Sequence, residues 1–181
     1  KVFFKKGKPR LYLPPYDYKM VKNYCKDGDQ IQEIEISHSD SQLPAQTVIL
    51  DTPGIDSADD AHRIATESAI HLADLIFYVM DYNHVQSEVN FMFTKELTEA
   101  GKEVYLVINQ VDKHSSQELS FLEFKTSVDR AFSSWGVKPA NIFYTSLKQD
   151  DHEHNQFSEL QAFLAERLMD KDSLLLQSIF K

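Results

Sequence analysis

Apolar residues in this chain gather into short unbroken runs, each ending at a polar residue and separated from the next by helix-length polar intervals. The runs are Val48 to Leu50, Leu75 to Asp81 (LIFYVMD), Val104 to Asn109 (VYLVIN) and Ile142 to Leu147 (IFYTSL). Brevity and lack of alternation suit strands covered on both faces, as in a parallel sheet, with Val48 to Leu50 as the central strand. The intervals read as helices: about 61–72, then Glu88 to Ala100 with Gly101 placed to end it. Ser115-x-x-Glu118 reads as a capping box opening a helix that offers Phe121, Leu122, Val128, Phe132 and Trp135 to a core and ends at Gly136. Phe157 to Leu168 carries Phe157, Leu160, Phe163, Leu164 and Leu168 at amphipathic spacing. Strand alternating with helix predicts an α/β domain of three layers, with a mostly parallel central sheet flanked by helices.

The first forty residues follow another pattern. KVFF and RLYL flank a KKGKP turn and predict a hairpin over Lys1 to Leu13, stopped by Pro14-Pro15. YDYKMVKNY, Tyr16 to Tyr24, predicts a short helix ending near Gly28, its tyrosines serving as packing residues. Ile31 to Ser37 alternates imperfectly over Ile31, Ile34 and Ile36 and predicts a strand with one wet face, paired antiparallel with Val48 to Leu50. Ser173 to Phe180 reads as the start of a further helix.

Composition narrows the function classes. The 181 residues are 42% hydrophobic and 26% charged, enough for one soluble domain with a proper core. A net charge of −9 disfavours nucleic acid as a partner and disfavours docking of this segment by itself on anionic lipid. The basic group Lys5, Lys6, Lys8 and Arg10 reads as a solvated turn guarding an edge strand. The single cysteine, Cys25, excludes an internal disulfide. No run reaches the ~18 apolar residues of a membrane span.

The candidate chemistry sits where the runs end, at the carboxyl ends of the strands, where α/β sheets bind ligands. In Asp51-Thr52-Pro53-Gly54, a carboxylate at the last rigid point of a strand can hold Mg²⁺ through its water shell. Gly54 leaves a backbone N–H open to a terminal phosphate, and Pro53 stiffens the approach. Asn109-Gln110-Val111-Asp112 resembles the Asn-Lys-x-Asp guanine-recognition motif of GTPases, and that resemblance implies that the Asp112 carboxylate accepts two hydrogen bonds from the N1–H and 2-amino group of guanine, a contact adenine cannot return. Lys113 and His114 are placed either to brace a base or to lie on the surface. Thr145-Ser146-Leu147 ends the fourth run. His152 and His154, beside Asp150 and Asp151, have no further ligand at a zinc spacing and read as a polar loop. His62 and His71 read as solvated or capping residues.

Taken together, DTPGIDS with Ile55 after its glycine, NQVDK and the run between them resemble the dynamin superfamily, most of all bacterial dynamin-like proteins of the type with two tandem units in one polypeptide. The resemblance implies a three-layer GTPase domain related to P-loop nucleotide hydrolases, with GTP or GDP and Mg²⁺ as cofactors. It implies nucleotide-binding roles for Asp51 (through water to Mg²⁺), Thr52, Pro53, Gly54, Asn109, Gln110, Asp112, Lys113, Ser146 and Leu147. Asn109 would tie neighbouring loops together, and the last loop would offer a backbone N–H to the guanine O6.

Departures from the pattern matter as much. Gly7, Gly28, Gly54, Gly101 and Gly136 offer no G-x-x-x-x-G-K-[ST] spacing. The chain is therefore expected to be a piece of a longer protein, starting after the first switch, with residues 1–172 a partial GTPase domain and 173–181 opening a helix toward a neck and stalk. Ile55 stands where Ras-like enzymes place a water-orienting glutamine, so no catalytic residue is assigned here. Gln110 replaces the usual lysine. By resemblance the expected function is that of a mechanochemical GTPase that remodels or fuses membranes. It would self-associate through its GTPase domains, reach lipid through other parts of the protein, and sit in the cytoplasm at the inner face of the membrane. The alternative is a GTPase-shaped scaffolding or binding module without hydrolysis.

Overall fold

The computed structural model describes residues 1–15, 17–27, 30–37, 43–44, 47–52, 66 and 69–170. The chain divides into two units, Lys1–Gln42 and Leu43–Lys181.

In the first unit, β1 (Val2–Phe4) pairs antiparallel with β2 (Ile31–Ile34), placing Val2 opposite Ile34. The segment RLYL forms no second strand of a hairpin. It contributes a single bridge, Val2 to Arg10, because β2 takes the pairing edge that the hairpin reading gave to it. Helix α1 (Tyr18–Cys25) is capped by Asp17, whose carboxylate accepts from Lys19 N at 2.8 Å. Tyr24 packs edge-on against Phe4 and shares a 2.7 Å hydroxyl contact with Tyr12, so Tyr24 is a packing residue as expected, whereas Tyr18 of the same helix is exposed.

The second unit contains a three-stranded parallel sheet: β3 (Ile76–Asp81), β4 (Val104–Asn109) and β5 (Asn141–Thr145), in the order β3-β4-β5. Two expectations are corrected here. Val48, Ile49 and Leu50 are exposed and lie outside any strand, so they pair with neither β2 nor the sheet, and β4 is the central strand. The physical reason is that an unbroken apolar run has no period of its own and becomes a strand only where neighbours take its N–H and C=O groups. Among the described residues β3 is an edge strand, with Val79 exposed and Met80 buried, whereas β4 is buried from Val104 through Ile108.

The parallel arrangement places a helix in each connection. α2 (Glu88–Glu99) and α3 (Phe121–Ser134) contribute Phe91, Leu97, Phe124, Val128 and Phe132 to a core that includes Val104, Leu106 and Ile108 of β4. The alternate residues of the strands, Phe77, Tyr105 and Phe143, meet Phe163 of α4 (Phe157–Met169). One period-2 alternation thus serves two helical layers.

Helix ends follow local chemistry. The capping box of α3 is Ser120 with Glu123, not Ser115 with Glu118: Ser120 N donates to Glu123 Oε2 at 3.1 Å and Glu123 N to Ser120 Oγ at 3.3 Å. The Ser-x-x-Glu pattern occurs twice in succession. Only the second directly precedes the apolar spacing Phe121, Phe124, Val128, Phe132. α2 and α3 both end in a glycine at positive φ, Gly101 at 75° and Gly136 at 76°. After α3, Gly136 N donates to Ser133 O and Val137 N to Phe132 O, both at 3.0 Å, which satisfies carbonyls the helix leaves over. A Cβ at Gly136 would meet no atom within 4 Å. The expected cost of Gly136→Ala is therefore a backbone cost alone, about 1 kcal/mol. A urea titration checks this; an unchanged midpoint would contradict it.

Candidate functional site

The strand register brings Asp81, Asn109 and Thr145 into line at the carboxyl ends of β3, β4 and β5. Beyond Asn109 the chain turns through Gln110, whose φ of 70° is left-handed. A non-glycine residue in that region is a local strain that persists only when its surroundings hold it. Here it folds the chain back into a 3₁₀ turn, Val111–Lys113, whose fully buried Val111 anchors it in the core. Asn109 and Asp112 then face one cavity of about 520 Å³, lined by Asn109, Gln110, Asp112, Lys113, Leu147 and Lys148.

Asp112 is fixed from the neighbouring strand. Ser146 Oγ, fully buried at the end of β5, donates to Asp112 Oδ1 at 2.7 Å. That hydrogen bond holds the Asp112 carboxyl below its ordinary pKa. Its own backbone N–H and the charges of Lys148 and His152 add to the effect, while desolvation opposes it. A carboxylate has about four acceptor positions, so it keeps capacity for a ligand. Thr145 Oγ1 donates to the amide oxygen of Asn109 at 3.3 Å, a hydrogen bond between the ends of β4 and β5. Leu147, 65% exposed, offers an apolar wall at the cavity.

Asn109, Gln110, Asp112, Lys113 and Leu147 line this cavity, and the buried Ser146 touches it only through Asp112. The structure does not bring Asp51 or Thr52 there: both are exposed, follow a segment that is not a strand, and are absent from the lining. Pro53 and Gly54 lie outside the described residues. Sequence reading missed Lys148, which lines the cavity, and Asn155, whose side chain binds the backbone of Ser146. The partners of Asn155 are backbone groups two to nine residues away, on both sides of it in the chain.

His114 and His154 take packing roles. His154 stacks face to face on Phe121, with centroids 3.8 Å apart and planes 5° from parallel. His114 Nδ1 lies 2.8 Å from Tyr82 Oη, and its ring packs edge-on against Phe121. No group of three or more His, Cys, Asp or Glu among the described residues is placed to hold a metal ion. Burial, with the charges of His152, His114 and Lys125, pushes the His154 pKa down against the opposing pull of Glu153. The folded state thus favours neutral His154. Its contribution to stability is complete above the ordinary value of 6.5 and is lost as pH falls from there toward the folded value. The expected result is a melting temperature that falls between pH 7 and pH 5 less in His154→Asn than in the unaltered protein, measured by calorimetry. Equal slopes would contradict it.

A parallel sheet flanked by helices, with strand-end loops carrying Asn109, Asp112 and Ser146, is the α/β architecture of the P-loop GTPase class. Comparison with known proteins gives the particular family. Residues 6–112 match the model of the Dynamin family, and the chain belongs to that family. Over 150 residues it is 37% identical to Dynamin-like protein A of Bacillus subtilis, a match covering 83% of this chain and 13% of that protein. It is also 27% identical over 105 residues to GTPase Der of Nautilia profundicola, covering 56% of this chain and 22% of that protein. A third relative, GTPase Der of Campylobacter jejuni, is 25% identical over 130 residues, 70% of this chain and 26% of that protein. The chain thus spans less than a third of the length of each of these relatives. No solved structure gives a significant match. Among the described residues, no helix is long and apolar enough to cross a membrane.

Proposed function

We propose that this chain is the guanine-reading part of a dynamin-like mechanochemical GTPase that hydrolyses GTP to GDP and phosphate and remodels or fuses membranes. The observation that supports it most is the Asp112 carboxylate, held by Ser146 Oγ at the edge of a strand-end cavity wide enough for a purine. In this reading Asp112 accepts from the guanine N1–H and 2-amino group, Leu147 and the stem of Lys148 flank the ring, and Asn109 keeps the two loops in step. Gln110 and Lys113 complete the base-facing surface, and Thr52, Pro53 and Gly54 face the phosphates. The chain assigns no catalytic residue.

Magnesium, which the family usually uses, would neutralise charge between phosphates. The described residues do not form a cation site by themselves: Asp51 is a single exposed carboxylate, suited to hold an ion only through water. Residues 1–172 are read as part of the GTPase domain and 173–181, outside the described residues, as the opening of a helix toward a neck and stalk. The whole protein is read as self-associating through its GTPase domains, cytoplasmic and peripheral at the inner face of the membrane, with lipid contacts made elsewhere in the polypeptide.

The test is GTP turnover by the protein at its natural length, with and without liposomes. Turnover that liposomes stimulate supports the reading. Guanine nucleotide binding with no turnover in either condition would replace it with the non-hydrolysing scaffold.

A further inference from the structure

One side chain outside the cavity lining is hydrogen-bonded along the loop that carries Leu147 and Lys148 of that lining. The Asn155 amide makes five contacts with backbone groups. Its Oδ1 accepts from Ser146 N at 2.9 Å and from Phe157 N, the first residue of α4, at 3.1 Å. Its Nδ2 donates to Ser146 O at 2.9 Å, Gln149 O at 3.1 Å and Asp150 O at 3.3 Å. The loop from Ser146 to Asp150 is therefore closed into a ring through one amide. The Ser146 hydroxyl at its neck accepts from Gln149 N at 3.0 Å and donates to Asp112 at 2.7 Å. Gln156, next in sequence, pairs with β5 instead: its N–H donates to Tyr144 O at 2.7 Å and its Oε1 accepts from Tyr144 N at 3.1 Å.

We propose that Asn155 is a positioning residue for base selection: it fixes the Ser146 backbone so that the Ser146 hydroxyl sets the Asp112 carboxylate and the loop presents Leu147 and Lys148 to the base. This rests on the guanine-nucleotide reading of the cavity. The chemistry requires an amide. Aspartate keeps the acceptor for Ser146 N and Phe157 N but sets a carboxylate against three carbonyl oxygens, and alanine removes donor and acceptor together. A half-buried ring of backbone groups left without partners reopens to water, and the effect reaches the base only through Ser146.

The test compares Asn155→Asp, Asn155→Ala and Gln156→Ala in the protein at its natural length. Gln156→Ala serves as the structural control, since it loosens the same segment without touching Ser146. The probes are fluorescent GDP and IDP; inosine lacks the 2-amino group, so the ratio of the two dissociation constants reads the Asp112 contact. Both Asn155 variants are expected to weaken GDP binding by about tenfold, the worth of one or two lost hydrogen bonds. They are also expected to lower the GDP preference over IDP, and to raise KM for GTP with kcat changed by less than about twofold. Gln156→Ala is expected to lower the melting temperature while leaving the GDP-to-IDP ratio as it was. If the Asn155 variants keep the unaltered ratio, or Gln156→Ala shifts it equally, Asn155 is merely structural and the inference fails. If the unaltered protein binds GDP no better than ADP, the guanine reading fails first and takes this one with it.

Discussion

Asp112→Asn is expected to weaken GTP binding by about 100-fold or more and to make xanthosine triphosphate the preferred nucleotide. Two charge-assisted hydrogen bonds are at stake, each worth about 1.5–3 kcal/mol, and the asparagine amide presents a donor where guanine also presents donors. Xanthine carries a carbonyl in place of the 2-amino group and so accepts from that amide. The substitution is local, because Ser146 Oγ, which donates to Oδ1 at 2.7 Å, finds an amide oxygen in the same place. Acid should not imitate it at moderate pH: the folded carboxyl titrates below its ordinary value, so discrimination present above the usual carboxylate range is lost only as pH falls through that lowered value. Competition between labelled GDP and the two triphosphates measures the switch. Unchanged preference in the variant would remove Asp112 from base recognition.

Phe132→Ala is expected to lower stability by about 4 kcal/mol. Phe132 is 1% exposed and meets Phe91 edge to face at 4.9 Å, inside the cluster that covers β4 from the α2 and α3 side. Leu106, Ile108 and Val128 around it are fully buried, so the surroundings have little freedom to collapse into the space. A loss of that size is about a quarter or more of the stability of an ordinary domain, about 5–15 kcal/mol. Trp135 stacks on the same Phe91, with planes at 22°, and its fluorescence follows unfolding in urea. A loss below about 1.5 kcal/mol would mean that the core repacks around the gap.

Several parts of the fold could be read in the sequence because their causes are local. Glycine after α2 and α3, an amphipathic α4, and strands at Val104 and Ile142 depend on backbone freedom and on side-chain periods that act over a few residues. Where two segments satisfied the same local rule, the sequence could not choose between them. Ser115 and Ser120 both carry a glutamate three residues on, and RLYL and IQEI both suit pairing with KVFF.

The sequence by itself determined the α/β class, the strand ends at Asp81, Asn109 and Thr145 and the family, because strand period, helix period and motif order are properties of neighbours along the chain. The tertiary structure alone decided that β4 rather than Val48 to Leu50 holds the centre of the described sheet, that Ser146 grips Asp112, and that Asn155 ties the loop from Ser146 to Asp150. Those facts are hydrogen bonds and burial between segments distant in sequence, and such contacts acquire their energy only once folding has brought the partners together and taken both from water.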